Sequence, residues 1–314
     1  MKISYFKTVF KIEAIDELIL PYYKGSTFRG VFGNTFKKVV CVFKSKICDE
    51  CLLKQTCVYA YVFETSPLQK DNLIFNMGKY RTIPHPFLIE PPLDGRKYYQ
   101  TGDELEFSVI LLGKATSYLP YFIYTFSECG KNGIGKGRGR YTLKEVLDED
   151  GNIVYTSEES KIITPQTKTI EINEDINFID DREGKITLHL ITPIRLKNKN
   201  DLVRNLEFNM LVKALMLRLN LINFFHCNDA EAKWDHKKIL EKSKEVKIIE
   251  DKTRWLDWER YSSRQQTKMK LGGIVGTITY SGSVEPYIEI LRAGEILHVG
   301  KNTTFGLGKY VIEK

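Results

Sequence analysis

Three kinds of residue cluster in this 314-residue chain are capable of chemistry. The first is a glycine-rich segment near the C-terminus, Leu297-His298-Val299-Gly300-Lys301-Asn302-Thr303-Thr304-Phe305-Gly306-Leu307-Gly308-Lys309-Tyr310. Glycines permit positive φ and close approach of the backbone to a ligand. Successive N–H groups can cradle an anion, and Lys301 adds a point charge. Gly300, Thr303, Gly306 and Gly308 are therefore candidate contacts for a phosphate. The segment has neither a Walker pattern nor a strand–loop–helix dinucleotide fingerprint.

The second cluster is basic. Gly130-Lys131-Asn132-Gly133-Ile134-Gly135-Lys136-Gly137-Arg138-Gly139-Arg140 holds four bases and no acid. The run from Arg260 to Lys270 is also free of acids. Read as one strand, it sets Arg260, Arg264, Lys268 and Lys270 on one face, a phosphate track with Trp258 and Tyr261 at hand for base stacking.

The third is Cys41, Cys48, Cys51 and Cys57, four thiols within seventeen residues at C-x6-C-x2-C-x5-C. In a reduced compartment, thiols this close suit a metal better than disulfides. Tetrahedral zinc is the first expectation and an iron–sulfur cluster the second. A closed four-thiolate site keeps no open position, so such a metal would fold the insertion and take no part in catalysis. Cys129 and Cys227 read as isolated thiols.

These clusters need a scaffold. The composition is 42% hydrophobic and 28% charged, which is globular and excludes collagen-like or mainly disordered chains. No charge-free apolar stretch of about 18 residues appears, and the N-terminus lacks a signal-peptide core, so a cytoplasmic protein without a membrane partner is expected. The net charge of +7 hides an asymmetry. Residues 145–183 hold twelve acids and three bases, a net −9, so the remainder carries +16. A segregated basic body suits a polyanion partner.

Period-two alternation marks a strand at residues 5–12. Phe28, Val31, Phe32, Thr35, Phe36 and Val39 mark a helix after a Ser26 or Thr27 cap. Strand-like runs follow at Val58–Phe63, Phe87–Ile89 and Leu105–Leu112, with a short helix over 116–128. Asp150-Gly151 signals a hairpin. A strand at Ile186–Ile191, a long apolar helix over 201–226 and a strand-rich block from Arg260 repeat the order. The expected class is α+β, with two tandem ferredoxin-like (RRM-like) domains. Residues 1–183 form the first, with the cysteine insertion at 41–57 and the acidic segment at 145–183. Residues 184–314 form the second, with the glycine-rich loop.

LHVGKNTTFGLGKY at the C-terminus, YKGSTFRGVFGN before the first helix and the two ferredoxin-like halves together resemble the RAMP superfamily of CRISPR-associated proteins. Within it, the chain is similar to endoribonucleases that process precursor CRISPR RNA, in a subgroup with a four-cysteine insertion followed by a run such as Tyr59-Ala60-Tyr61-Val62-Phe63-Glu64. The resemblance implies recognition of repeat RNA and metal-independent cleavage to a 2′,3′-cyclic phosphate and a 5′-hydroxyl. Alternatively it implies a non-catalytic RNA-binding subunit of a CRISPR effector complex, with other subunits as partners. Relatives often carry a catalytic histidine on or after the first helix. This chain has no histidine before His85.

Such cleavage needs a base for the 2′-OH, an acid for the 5′-oxygen and cations for the phosphorane. Of the five histidines, His298 borders the glycine loop and is the first candidate for acid or base; His226 and His85 rank behind it. Lys301 is the candidate cation, Tyr23 a second proton relay, and Lys24 and Arg29 RNA contacts, together with Lys136, Arg138, Arg140, Arg260, Arg264 and Lys268.

Overall fold

The computed structural model describes all residues except 45–46, 66–82, 160, 177, 179–183, 199–200, 228–231, 263–266 and 314, with backbone alone over 259–270. Two compact units emerge.

The first unit comprises Ser4–Thr169 with Phe225–Cys227. Its elements are β1 (Lys2–Ala14), α1 (Gly25–Val40), β2 (Phe87–Glu90), β3 (Glu104–Leu112), α2 (Leu119–Asn132), β4 (Tyr141–Asp148) and β5 (Ile153–Thr156). The sheet order is β2-β3-β1-β4-β5, and each of these four neighbouring pairs is antiparallel. The helices cross between β1 and β2 and between β3 and β4, the ferredoxin-like connection expected from the sequence. β1 alternates because one face meets α1 and α2. Phe28, Phe32 and Phe36, spaced by four, form one stripe of α1 and are fully buried. Phe32 stacks on Phe36, Phe122 and Phe126 at centroid distances of 5.0, 4.6 and 5.0 Å. Phe10 joins this core against Phe107 at 5.1 Å.

The second unit comprises Met1–Ile3, Ile170–Phe224 and Asn228–Lys314. It is built from β7 (Gly184–Ile194), α3 (Phe208–Ile222), α4 (His236–Ser243), β8 (Lys247–Leu256), a hairpin of β9 (Glu259–Ser262) and β10 (Thr267–Lys270), then β11 (Gly273–Gly282), α5 (Ile288–Leu297) and β12 (Tyr310–Ile312). A short strand, β6 (Lys168–Glu171), precedes it and pairs with β1. The sheet order β8-β11-β7-β12 repeats that of the first unit, with the first strand of the unit between its third and fourth. Tyr280 and Tyr310 are buried and donate to the carbonyls of Leu206 at 2.7 Å and Leu291 at 2.6 Å, tying sheet to helical layer. By length and composition, Phe208–His226 could cross a bilayer, yet 61% of that window is buried inside the fold.

Four expectations change. The boundary falls at 169/170 and not at 183/184, because residues 170–174 bond within the second unit: the Met1 ammonium meets Glu174 at 2.9 Å, and Asn173 N–H donates to Glu289 at 2.6 Å. Residue 183 itself lies outside the described residues. Val58–Phe63 is helical, ending in a π-turn over Ala60–Glu64, since a short apolar run has no period that separates strand from buried helix. The long helix begins at Phe208, seven residues later than its expected start at 201, because Asp201–Leu202 pairs back on Lys197–Asn198. The basic run 260–270 is a hairpin, not one strand. Arg260 faces Met269 and Tyr261 faces Lys268 in the ladder, so Arg260 and Lys268 take positions of opposite parity and no single face holds them all. Arg264 lies outside the described residues.

The cysteine insertion also departs from the expected closed metal site. Cys51 N–H donates to Cys48 O at 3.2 Å, a C-x2-C turn. Cys48 and Cys57 pack against the aromatic core. Among the described residues, no three of His, Cys, Asp or Glu gather closely enough to share an ion. The four thiols do not stand as the closed tetrahedral cage that structural zinc takes.

Candidate nucleic-acid interface

The C-terminal glycine loop joins α5 to β12 and folds back on the residues that follow β7. Val299 and Gly308 close it by a 3.0 Å N–H···O bond. Lys301 N–H donates to Arg195 O at 2.9 Å, and Gly308 N–H donates to Pro193 O at 3.1 Å. Thr192 Oγ1 donates to Gly306 O at 2.8 Å and accepts from Lys309 N–H at 2.9 Å. Two glycines are obligatory. Gly300 sits at φ +89, where a Cβ would lie 2.5 Å from Arg195 O; Gly308 sits at φ +78, where a Cβ would lie 1.9 Å from Val299 O. The loop backbone thus bonds largely within the fold. Thr303 and Gly306 are buried as well, so Thr303, Gly306 and Gly308 do not form the open anion cradle expected.

His298 is the main correction. It is 0% exposed, and its Nδ1 lies 3.1 Å from Leu307 O. Its φ of +58 turns the chain from α5 into the loop. An imidazole enclosed this way packs the loop and does not reach a surface phosphate. The same holds before α1. Tyr23 is buried, and burial first, then the charge of Glu90, raises its pKa well above the usual phenol range. Lys24 is 0% exposed and pairs with Asp94 Oδ1 at 2.7 Å, while Tyr99 donates to Asp94 Oδ2 at 2.6 Å. A buried lysine must be paired, and this one serves the fold. Tyr23 and Lys24 are therefore not surface groups.

What the second unit does expose is charge. Lys301 and Lys197 are exposed and Arg195 is half-buried. A backbone bridge pairs Arg195 with Gly300, next to Lys301; partial burial, then the like charges of Lys197 and Arg195, lower the Lys301 pKa. Burial likewise lowers the Arg195 pKa, against Asp257, which raises it. Arg195 and Lys197 were not expected from the sequence. Their signal is the acid-free stretch Arg195-Leu196-Lys197-Asn198-Lys199 after a strand.

In the first unit, Lys136 and Arg138 are exposed at the tip of the other glycine-rich loop. Arg140 is not available as expected; it forms a two-pronged pair with Asp16, at 2.7 Å from Nε and 3.1 Å from a terminal nitrogen. Arg29 lies over the Phe63 ring, 4.2 Å from its centroid, and Phe63 in turn occupies the space a Cβ at Gly33 would need. His85 is half-buried beside the same ring at 6.2 Å, with Nδ1 3.0 Å from Thr65 Oγ1. Arg29 and His85 thus flank one aromatic side chain. His226 is buried between Tyr61 Oη, 3.1 Å from Nδ1, and Pro84 O, 2.7 Å from Nε2, so it is a structural histidine. His189 sits within its sheet, with Nδ1 3.1 Å from Thr277 Oγ1.

Two ferredoxin-like units, each with a glycine-rich loop before its last core strand, give the fold that this chain shares with solved Cas6 structures. The model of the N-terminal domain AF_1859_N matches residues 3–168, more than half of the chain, and the chain belongs to that family. Residues 188–310 match the CRISPR-associated endoribonuclease Cas6. An uncharacterized protein of Archaeoglobus fulgidus is 26% identical over 309 residues, covering 93% of this chain and 92% of its own. A Cas6 product complex superposes with a TM-score of 0.57 at 14% identity, over 98% of this chain and 100% of that one. Thermus thermophilus Cas6 gives 0.52 at 14%, over 98% of both chains. A partial Cas6-RT-Cas1–Cas2 complex gives 0.57 at 14%, over 99% of this chain and 46% of that one.

Proposed function

We propose that this protein binds CRISPR repeat RNA and cleaves it without a metal, through attack of a 2′-oxygen on the adjacent phosphorus. The 5′-oxygen leaves as a hydroxyl and a 2′,3′-cyclic phosphate remains. The observation that carries RNA binding is the joining of the glycine loop to the strand end before it: Lys301 N–H bonds Arg195 O at 2.9 Å, and the exposed Lys301 and Lys197 with the half-buried Arg195 gather like charge there. Such a cluster is stabilised by a polyanion, whose condensed counterions are released on contact.

Within the first unit, His85 replaces His298 as the group for proton transfer. It is the half-buried histidine that shares an aromatic neighbour with a cation, Arg29, suited to the charge developing on a phosphorane. The enclosure of His298 and Tyr23 supports a second reading, an RNA-binding subunit without catalysis that acts with other CRISPR proteins.

One experiment separates the two. Repeat RNA from the host array is incubated with the protein in EDTA and its termini are analysed. Cyclic-phosphate ends support the first reading; intact but bound RNA supports the second. In the same binding assay, Lys301→Ala is expected to flatten the slope of log affinity against log salt by about 0.7, the value for one lost contact to a single strand. An unchanged slope would remove Lys301 from the interface.

A further inference from the structure

The two glycine-rich loops occupy the same station in their units. One joins α2 to β4 and the other joins α5 to β12, each between the unit's second core helix and its last core strand. Each folds onto the segment that follows the unit's first strand, and the local bonding repeats. Gly135 sits at φ +76, and a Cβ there would lie 2.3 Å from Ile19 O. Gly300 sits at φ +89, and a Cβ there would lie 2.5 Å from Arg195 O. In both loops the next residue is a lysine whose N–H donates at 2.9 Å to that same carbonyl: Lys136 to Ile19 O, and Lys301 to Arg195 O. In both, the lysine side chain is exposed.

The first loop adds a feature that folding alone does not require. Arg138 adopts φ +54, a left-handed conformation that glycine takes without strain. Its neighbours Gly137 and Gly139 show that this loop uses glycine freely. Yet the position keeps an arginine whose side chain is exposed and makes no hydrogen bond or ion pair among the described residues. A strained residue without a structural partner is a signature of function. Beside it, a Cβ added to Gly137 would meet nothing within 4 Å, so the tip stands open. The nearest arginine in sequence, Arg140, is already neutralised by Asp16.

We propose that Lys136 and Arg138 form a second RNA-backbone site, the counterpart in the first unit of the Lys301 loop, contacting phosphates of a single-stranded stretch of the same transcript. The proposal rests on the reading of the protein as RNA-binding, and it concerns a different loop in a different unit. Two sites on one strand join two contact sets to one ligand, so removing either weakens binding without abolishing it.

The probe is fluorescein-labelled polyuridylate, because phosphate contacts carry no sequence information. Affinity is measured across a salt series for the wild type, Lys136→Ala/Arg138→Gly and Lys301→Ala. The double variant is expected to flatten the salt slope by about 1.4, two contacts at about 0.7 each, and Lys301→Ala by about 0.7. Arg138→Gly alone should leave Tm within the scatter of the wild type, because glycine accepts the backbone conformation, while still flattening the slope by about 0.7. An unchanged slope in the double variant beside a flattened slope in Lys301→Ala overturns this inference and leaves the proposed function standing. Unchanged slopes in both, or no binding of polyuridylate by the wild type at low salt, overturn both. A fall in Tm for Arg138→Gly that accompanies lost binding would make the arginine structural and also sinks the proposal.

Discussion

Replacing His85 by alanine is expected to slow cleavage of repeat RNA by roughly 10²–10⁴-fold, the usual contribution of a positioned proton-transfer group. Affinity for uncut repeat should change little, since the imidazole acts mainly in the transition state. The expectation follows from surroundings. His298 is enclosed and His226 is held at both ring nitrogens, whereas His85 is half-buried and shares the Phe63 ring with Arg29. Single-turnover kinetics with labelled repeat decide the matter. His226→Ala serves as the control. It should lower stability, because it strands the Pro84 carbonyl and the Tyr61 hydroxyl, without a specific effect on the cleavage step. Wild-type single-turnover rates in His85→Ala would exclude His85 from proton transfer.

Phe32→Ala should destabilise the first unit by about 3–5 kcal/mol, the range for an aromatic removed from a close-packed core. Phe32 is 0% exposed and touches Phe36, Phe87, Phe122 and Phe126, with its centroid 4.6 to 5.8 Å from each of theirs. Rings from α1, α2 and β2 meet there, so the cavity cannot collapse by moving one element. Denaturant midpoints at constant slope give the comparison. Phe43→Ala, at a side chain 58% exposed, should shift the midpoint far less. A loss below about 1 kcal/mol at Phe32 would show that the aromatic cluster relaxes around the gap.

The charge pattern takes a physical form in the structure. The acidic segment is drawn into ion pairs within its own neighbourhood: Lys11 with Glu145 at 2.8 Å, and Lys168 with Glu149 at 3.1 Å and Asp150 at 2.9 Å. Lys136, Lys197 and Lys301 make no such pair among the described residues. Exposed pairs of this kind contribute little stability. Their consequence is for the field: acids neutralised locally leave the two loops as sources of positive potential.

Periodicity and composition alone carried the α+β class and, in each half, a strand, then a helix, then strands with a glycine-rich loop; the helix Ile288–Leu297 was not among the expected elements. Both follow from local rules, since period two and period 3.6 sort side chains onto faces whatever the rest of the chain does. The glycine-rich loops were legible too, because positive φ demands glycine at Gly300 and Gly308. The site residues were legible only in part. Lys136, Arg138 and Lys301 emerged as exposed cations, while His298, Tyr23 and Lys24 proved buried. Nothing local distinguishes an exposed histidine beside a glycine from an enclosed one. That depends on whether the loop folds outward or back onto the strand end, and here the carbonyls of Pro193 and Arg195 draw it back. Likewise, the parity of Arg260 and Lys268 was set by the antiparallel pairing of Glu259–Ser262 with Thr267–Lys270, which a one-strand reading cannot show. The pairing of Lys24 with Asp94 joins residues seventy positions apart. Sequence fixes which groups exist and which local conformations they favour; burial and partners are decided by long-range packing, which alone determines the groups left facing solvent.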